Sequence, residues 1–150
     1  MKKLTVIILI MLSAVSVWAF NVDKSKGQTV YIPVYSEIYA GARSKPMDLV
    51  VTVSIHNTSS EESILLEKVD YHDTSGNLIK HYLDKPLLLG PLATAQYIVR
   101  EKDDTGGSGA NFIVKWSAKE KVPQPVTESV MIGAKSSLGI SFVSPGVIIK

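Results

Sequence analysis

The segment with the clearest potential for chemistry runs from Asp103 to Asn111, where two carboxylates precede three glycines, a serine and an asparagine. Oxygen ligands on a flexible loop can hold a hard cation such as calcium. The same groups could contact a partner, because binding residues concentrate on loops that a rigid scaffold holds. We predict a ligand-binding site formed by Asp103, Asp104, Gly106, Gly107, Ser108, Gly109 and Asn111, with Asp84 and Lys85 as neighbours.

Known loop motifs do not account for this segment. Counted as an EF-hand from Asp103, the loop has Ser108 in place of the turn glycine and Val114 in place of the closing glutamate. No Gly-Lys-Ser/Thr follows as in a P-loop, the third glycine of a dinucleotide fingerprint is missing, and Ala110 replaces the second glycine of a nucleophile elbow. The structural alternative is a long hairpin loop with glycines at positive φ and with Asp and Asn side chains that cap backbone amides.

The three histidines suggest a metal hypothesis, since imidazole is a common ligand of zinc and copper. His72 and His81 flank a predicted hairpin turn at residues 73–77. Symmetric pairing across that turn sets Asp70 opposite Lys80, as a surface ion pair, and points the two histidines to opposite faces. The third histidine belongs to another strand, and no His-x-His or His-x₃-His spacing exists. We therefore predict no metal site, no cofactor and, because no Ser/His/Asp trio is apparent, no catalytic residues.

Two further patterns allow a functional or a structural interpretation. Several aromatic residues could line a groove for a sugar or peptide, or could pack in the core: Tyr31, Tyr35, Tyr39, Tyr71 and Trp116. The triplet Asn57-Thr58-Ser59 matches a glycosylation sequon and equally suits a polar turn. The sequence leaves both pairs of alternatives open.

The elements that must position these residues are strands, because apolar residues recur with period two along the chain. In three segments the alternation places apolar residues together on one face of a strand: Val30, Ile32 and Val34; Leu49, Val51, Val53 and Ile55; and Phe112, Val114 and Trp116. Further strands are predicted over 64–72, 78–83, 93–102, 126–132 and 140–143, with a buried connection over 87–92. Seven or eight short strands separated by turns predict an all-β fold, an antiparallel, immunoglobulin-like β-sandwich.

The first 19 residues have the form of an export signal. A positively charged start is followed by an uncharged run from Leu4 to Val17, and Ala19 offers a small side chain at a cleavage point. As a helix the run spans about 21 Å, which is less than the hydrocarbon core of about 30 Å. We predict a cleaved signal peptide over 1–19 and a single domain over 20–150, periplasmic or secreted, soluble and without a membrane span. An uncleaved inner-membrane anchor is the alternative.

Charge balance and the absence of cysteine exclude several further classes of function. The chain has 16 Lys and Arg against 14 Asp and Glu, but Lys2 and Lys3 lie in the predicted signal peptide. The mature charge is therefore balanced and gives no basis for nucleic-acid binding. Cysteine is absent, which excludes disulfides, thiolate metal ligands, cysteine nucleophiles and a lipid-modified cysteine.

Four segments of the chain are typical of one protein family. They are VYIPVYSEIY from Val30, DKP from Asp84 with LGPLAT from Leu89, GGSGANFIV from Gly106 with Trp116, and MIG from Met131 with GISFVS from Gly139. Through them the chain resembles the bacterial domain-of-unknown-function family 3124, from about Val30 to Ile148. The resemblance implies a small, exported, single-domain bacterial protein with no assigned activity. Some relatives resemble lipoproteins, and the absence of cysteine here favours a soluble form.

We therefore expect an exported, non-enzymatic binding or accessory module of the bacterial cell envelope, whose partner is an envelope protein or a glycan. A divalent-cation (calcium) binding domain that uses the Asp103 to Asn111 loop is the first alternative. A small periplasmic hydrolase or isomerase is the second.

Overall fold

The structure, a computed structural model, describes residues 23–40, 45–135 and 138–150. The predicted signal peptide, residues 1–19, lies outside the described residues. The described chain consists of strands, turns and a short 3₁₀ turn at Gly107–Gly109. In chain order the strands are β1 (Lys24–Pro33), β2 (Glu37–Ala40), β3 (Lys45–Asp48), β4 (Val50–His56), β5 (Ile64–His72), β6 (Leu78–His81), β7 (Leu87–Leu89), β8 (Thr94–Val99), β9 (Asn111–Pro123), β10 (Val126–Lys135), β11 (Leu138–Pro145) and β12 (Val147–Ile148).

Two antiparallel sheets carry most of the fold. The first sheet has the strand order β12-β1-β9-β5-β6, and β7 also pairs with β5. The second sheet has the order β11-β10-β4-β8, and β2 and β3 form a separate hairpin. The prediction of an all-β, antiparallel fold is confirmed, and the immunoglobulin-like arrangement stays a prediction. The described residues contain twelve strands rather than seven or eight, because strands as short as β7 and β12 are too short to show alternation.

Apolar side chains from both sheets meet in one core. Because successive residues of a strand point to opposite faces, each strand contributes every second side chain to it. The three predicted alternations, in β1, β4 and β9 and the residues beside them, are confirmed: the ten side chains that they group on one face all point inward and are at most 3 % exposed. The core therefore lies between the sheets, as in a β-sandwich.

Two predicted connections are wrong. Residues 87–92 do not form a buried connection, because Leu88 and Leu92 are 67 % and 69 % exposed while Leu89 is buried. Part of this run is the short edge strand β7, in which neighbouring side chains face opposite sides. The loop from Asp103 to Asn111 is not a hairpin loop, because it leaves β8 in the second sheet and enters β9 in the first. It connects the two sheets at one end of the sandwich.

Candidate functional site

The glycine loop, residues 103–111, lies beside the turn that closes the β5–β6 hairpin. Gly76 in that turn has φ +83°, in the left-handed region that favours glycine. Asp73 organises the turn by accepting hydrogen bonds from the backbone amides of Ser75 (2.9 Å) and Asn77 (2.8 Å). The side-chain amide of Asn77, together with these backbone amides, lowers the pKa of Asp73. The turn is therefore a fixed surface against which the glycine loop packs.

Two hydroxyl side chains from other segments hold the backbone of the glycine loop. The Thr74 hydroxyl donates to the carbonyl of Gly106 (2.9 Å) and accepts from the amide of Gly109 (3.0 Å). The Ser36 hydroxyl donates to the carbonyl of Gly107 (2.9 Å). Because these bonds satisfy main-chain groups, side chains from outside the loop fix much of its backbone.

Glycine is required at two positions of the loop. A Cβ atom on Gly106 would collide with the hydroxyl of Tyr71. Gly107 has φ +70°, in the left-handed region that favours glycine. The predicted positive φ is thus confirmed at Gly107 and is wrong at Gly106 and Gly109. At Gly106 the need is for space, which a sequence pattern does not reveal.

The two carboxylates of the loop have different roles. Asp103 accepts hydrogen bonds from the amide (3.3 Å) and the hydroxyl of Thr105, so it caps the loop as the structural alternative predicts. Asp104 and Ser108 are exposed, and their side chains form no hydrogen bond or ion pair with any described residue. Asn111 is half-buried where β9 begins. The structure therefore leaves Asp104 and Ser108 accessible to a ligand.

Asp84 and Lys85 are exposed in the segment between β6 and β7. Within residues 23–40, 45–135 and 138–150, neither forms a hydrogen bond or an ion pair with the glycine loop. Tyr82, at the start of the segment, interacts electrostatically with the loop. Burial raises the pKa of Tyr82, and the negative charge of Asp103 raises it further. The predicted neighbours thus belong to an adjacent segment but are not joined to the loop.

An aromatic cluster that the sequence analysis missed lies next to the glycine loop. Tyr71 stacks on Phe112 with ring centroids 5.1 Å apart, Tyr82 lies 5.2 Å from Phe112, and Tyr97 meets Tyr82 edge-on at 5.6 Å. The Lys80 ammonium lies 4.3 Å from the Tyr82 ring centroid. Burial raises the pKa of Tyr71 to about 12 and also raises that of Tyr97, so both phenols are neutral at physiological pH.

The sequence contained a signal for part of this cluster. Tyr97 shares the inward phase of β8 with Ala95 and Val99, so alternation could have placed it against the core. Tyr82 follows a strand with an irregular register and carries no such signal. Of the aromatic residues weighed as groove or core, Tyr71 and Trp116 are buried in the core.

The predicted register of the β5–β6 hairpin is wrong beyond its first pair. Ile79 is an extra residue in β6, so Asp70 faces His81 rather than Lys80. The Asp70 carboxylate is buried and lies 2.8 Å from both His81 Nδ1 and Lys68 Nζ. Burial by itself raises the pKa of Asp70, but the hydrogen bonds from Lys68 and His81 outweigh it and lower the pKa below its ordinary value. The predicted surface ion pair is instead a buried carboxylate with two other partners.

Two of the three histidines contact different partners. His81 contacts Asp70, whereas His56 Nδ1 lies 2.9 Å from the Thr94 hydroxyl and its Nε2 lies 3.7 Å from Glu128. Across the part of the chain that the structure describes, no group of three or more His, Cys, Asp or Glu side chains is placed to hold a metal ion.

At the opposite end of the sandwich, the asparagine of the sequon is buried. Asn57 is 2 % exposed, and its amide nitrogen donates to the carbonyls of Glu62 (2.8 Å), Leu89 (3.2 Å) and Gly90 (2.9 Å). Its side-chain oxygen accepts from the amide of Ser59 (3.1 Å). An amide whose donors and acceptor are used inside the fold is not free for glycosylation, so the structure supports the polar-turn interpretation.

Two grooves lie on the outer face of the first sheet, away from the glycine loop. One, of about 440 Å³, is lined by residues that include Glu62, Leu88 and Lys119. The other, of about 430 Å³, includes Lys115 and Glu67, whose ion pair is 2.7 Å long. Neither groove is lined by a histidine or by a residue of the glycine loop.

Comparison with known proteins agrees with the resemblance read from the sequence. The family described as "Protein of unknown function (DUF3124)" matches residues 27–149. The chain belongs to this family. The structure is also similar to the crystal structure of Thermotoga maritima 1070, with 8 % identity, a TM-score of 0.47, and coverage of 80 % of this chain and 92 % of that chain. Comparison with curated proteins gave no match. None of the helical turns in residues 23–40, 45–135 and 138–150 is long and apolar enough to cross a membrane.

Proposed function

We propose that this family member is an exported, non-enzymatic binding or accessory module of the bacterial cell envelope, and that the glycine loop is its contact surface. One observation carries the proposal: Thr74 and Ser36 fix the backbone of the loop, while the side chains of Asp104 and Ser108 remain exposed and form no hydrogen bond or ion pair among the described residues. A loop that is already ordered loses little conformational entropy on binding. The partner is an envelope protein or a glycan.

The distribution of polar groups supports binding over catalysis. Among the described residues, one row of side chains resembles the nucleophile, base and acid of a catalytic triad. It consists of Thr94, His56 and Glu128. They lie across neighbouring strands on the open face of the second sheet, outside both grooves. A hydrolase needs a pocket that excludes water and stabilises the developing charge, and this row has no such enclosure.

Calcium binding, the first alternative, would require the loop to give up existing hydrogen bonds. Asp103 already accepts two hydrogen bonds from Thr105, so a cation would have to displace them to gain that carboxylate. If calcium bound this loop, millimolar calcium would raise the melting temperature and the Asp103→Asn/Asp104→Asn variant would lose the shift. We expect no shift in either protein.

Site-specific crosslinking tests the contact surface. Because the chain has no cysteine, Ser108→Cys places one thiol on the glycine loop and Ser60→Cys places a matched exposed thiol elsewhere. Each variant is labelled with a photocrosslinker and irradiated in envelope extract. We expect one reproducible protein or glycan adduct from Ser108→Cys, reduced by Asp104→Asn and absent from Ser60→Cys. Identical adducts at both positions, or none at Ser108, would contradict the proposal.

Export is tested on the expressed 150-residue chain. Cleavage after Ala19 gives a product that begins at Phe20, which intact-mass spectrometry identifies directly. We expect this mass in the periplasmic or secreted fraction. A full-length mass in the membrane fraction would instead support the uncleaved anchor.

A further inference from the structure

The two edges of the second sheet differ in how they are covered. β8 forms one edge, and there the carbonyl of Ile98 accepts a hydrogen bond from the Tyr82 hydroxyl (3.0 Å). β11 forms the other edge, and within the described ranges no strand pairs with its outer side. An uncovered edge presents a row of backbone donors and acceptors that can pair with another strand.

β11 has few of the features that usually protect a sheet edge. Its eight residues, LGISFVSP, carry no charge, and its one proline, Pro145, stands at the end. Its pairing with β10 runs without a register shift from Glu128 opposite Pro145 to Lys135 opposite Leu138, so no bulge turns the edge away. Edges that stay unpaired normally carry charges, central prolines or bulges.

Apolar side chains stand on both faces of this edge. Val143 points outward and is 56 % exposed; it stands opposite Val130 of β10, and the exposed Ile132 is its diagonal neighbour on the same face. On the other face, Phe142 packs partly against the core and Ile140 is exposed. A strand added here would therefore bury apolar surface above and below the sheet as well as satisfy backbone groups.

We propose that β11 pairs antiparallel with β11 of a second copy of this chain, which joins two four-stranded sheets into one of eight strands. A two-fold axis perpendicular to the sheet relates identical strands in antiparallel orientation. Because β11 is uncharged, it meets its own copy without like-charge repulsion, whereas a charged partner strand would gain no complementary charge. The glycine loop contributes no residue to this edge, so pairing and ligand binding can be tested separately.

A matched pair of lysine variants tests the pairing. Val143 and Ile98 are equally exposed, at 56 %, and lie on the two edge strands of the same sheet. Sedimentation velocity on protein purified from cells that express the full chain should show a concentration-dependent dimer. Val143→Lys should weaken the dimer at least about tenfold by adding a charge at the edge, and Ile98→Lys should change it less than about twofold. A protein that stays monomeric up to about 1 mM overturns the proposal.

Two other outcomes would also overturn edge pairing. Equal weakening by Val143→Lys and Ile98→Lys would indicate that the outer faces of two second sheets pack together. A second measurement uses Ser141→Cys, an exposed position in the middle of β11, in the otherwise cysteine-free chain. Edge pairing brings this residue within a few residues of its copy, so mild oxidation or a short bifunctional crosslinker should give a covalent dimer. Failure to crosslink while Ile98→Cys does crosslink would contradict the proposal.

Discussion

The two ends of the sandwich are closed by opposite means. At one end, the buried side chain of Asn57 reaches three carbonyls and one amide of neighbouring segments. At the other, side chains from outside the glycine loop, Thr74 and Ser36, bind its main chain. In the first case a polar side chain is used up by the fold. In the second the loop is ordered while the side chains of Asp104 and Ser108 stay accessible.

This difference separates a structural polar residue from a candidate functional one. A side chain whose donors and acceptors are satisfied inside the protein has little left to offer a ligand. An exposed side chain on a fixed backbone can form new hydrogen bonds without first ordering the loop. The same criterion assigns Asn57 and Asp103 to the fold, and it leaves Asp104 and Ser108 available for the proposed contact surface.

The largest expected effect comes from removing the buried amide. Asn57→Ala leaves up to three carbonyls and one amide without their partner, so we expect the free energy of unfolding to fall by about 3 kcal/mol or more. Urea denaturation measures the loss. The matched control is Thr58→Ala, which removes one exposed hydrogen bond to the Gln124 carbonyl and should cost less than about 1 kcal/mol. Equal losses of unfolding free energy in the two variants would show that the buried Asn57 side chain contributes no more to the fold than an exposed hydroxyl does.

The next effect tests the packing of the glycine loop. Gly106→Ala places a methyl group against the Tyr71 hydroxyl and should destabilise the fold by about 2 to 3 kcal/mol. Tyr71→Phe removes that hydroxyl, which has no hydrogen-bond partner in the described structure. The double variant should therefore be more stable than the sum of the single effects, with a coupling of about 1 kcal/mol in a denaturation cycle. Strict additivity would mean that the strain arises from another contact of the new methyl group, which also approaches the Cβ atom of Ala110.

A smaller, pH-dependent effect is expected at Asp70, whose buried carboxylate in β5 contacts Lys68 and His81. Because the pKa of Asp70 is lowered in the folded protein, its carboxylate stabilises the fold above the unfolded pKa of about 3.9, and this contribution is lost as the pH falls through the folded value. Asp70→Asn should cost about 1 to 3 kcal/mol at pH 7, with a difference that narrows below about pH 4. A pH-independent difference would contradict the pairing with Lys68 and His81.

The smallest effect on stability is expected for the exposed side chains of the glycine loop. Ser108→Ala and Asp104→Asn should each change the free energy of unfolding by less than about 0.5 kcal/mol, because no described residue bonds to them. Thermal denaturation of the two variants beside the parent protein measures this. A loss as large as that of Gly106→Ala would show that these side chains serve the fold, which would weaken the proposed contact surface.

How far the sequence predicts the structure depends on whether a feature is periodic. Alternation placed the inward residues of β4 and β9 correctly, because burial of one sheet face leaves a period of two. The extra residue Ile79 left no such trace, and it moved Asp70 from Lys80 to His81. The contacts of Asn57 are equally invisible, because its partners are main-chain carbonyls that any residue supplies.

The candidate site was predicted by residue type but not by arrangement. Clustered Asp, Gly, Ser and Asn indicated a loop, and the cap formed by Asp103 follows from ordinary turn chemistry. That the loop crosses between sheets, and that Thr74 and Ser36 hold it, depends on contacts between segments distant in sequence. Local patterns carry no information about such contacts.

The position of β1 has a consequence for the order of events in the cell. This first strand lies between β9 and β12, with Val30 opposite both Val114 and Ile148. The first sheet is therefore incomplete until β12 has been synthesised, and closing it joins segments more than 80 residues apart. A chain that cannot complete its first sheet early stays at least partly unfolded while it is being synthesised. That delay suits a protein that crosses a membrane before it folds, as the proposed export requires.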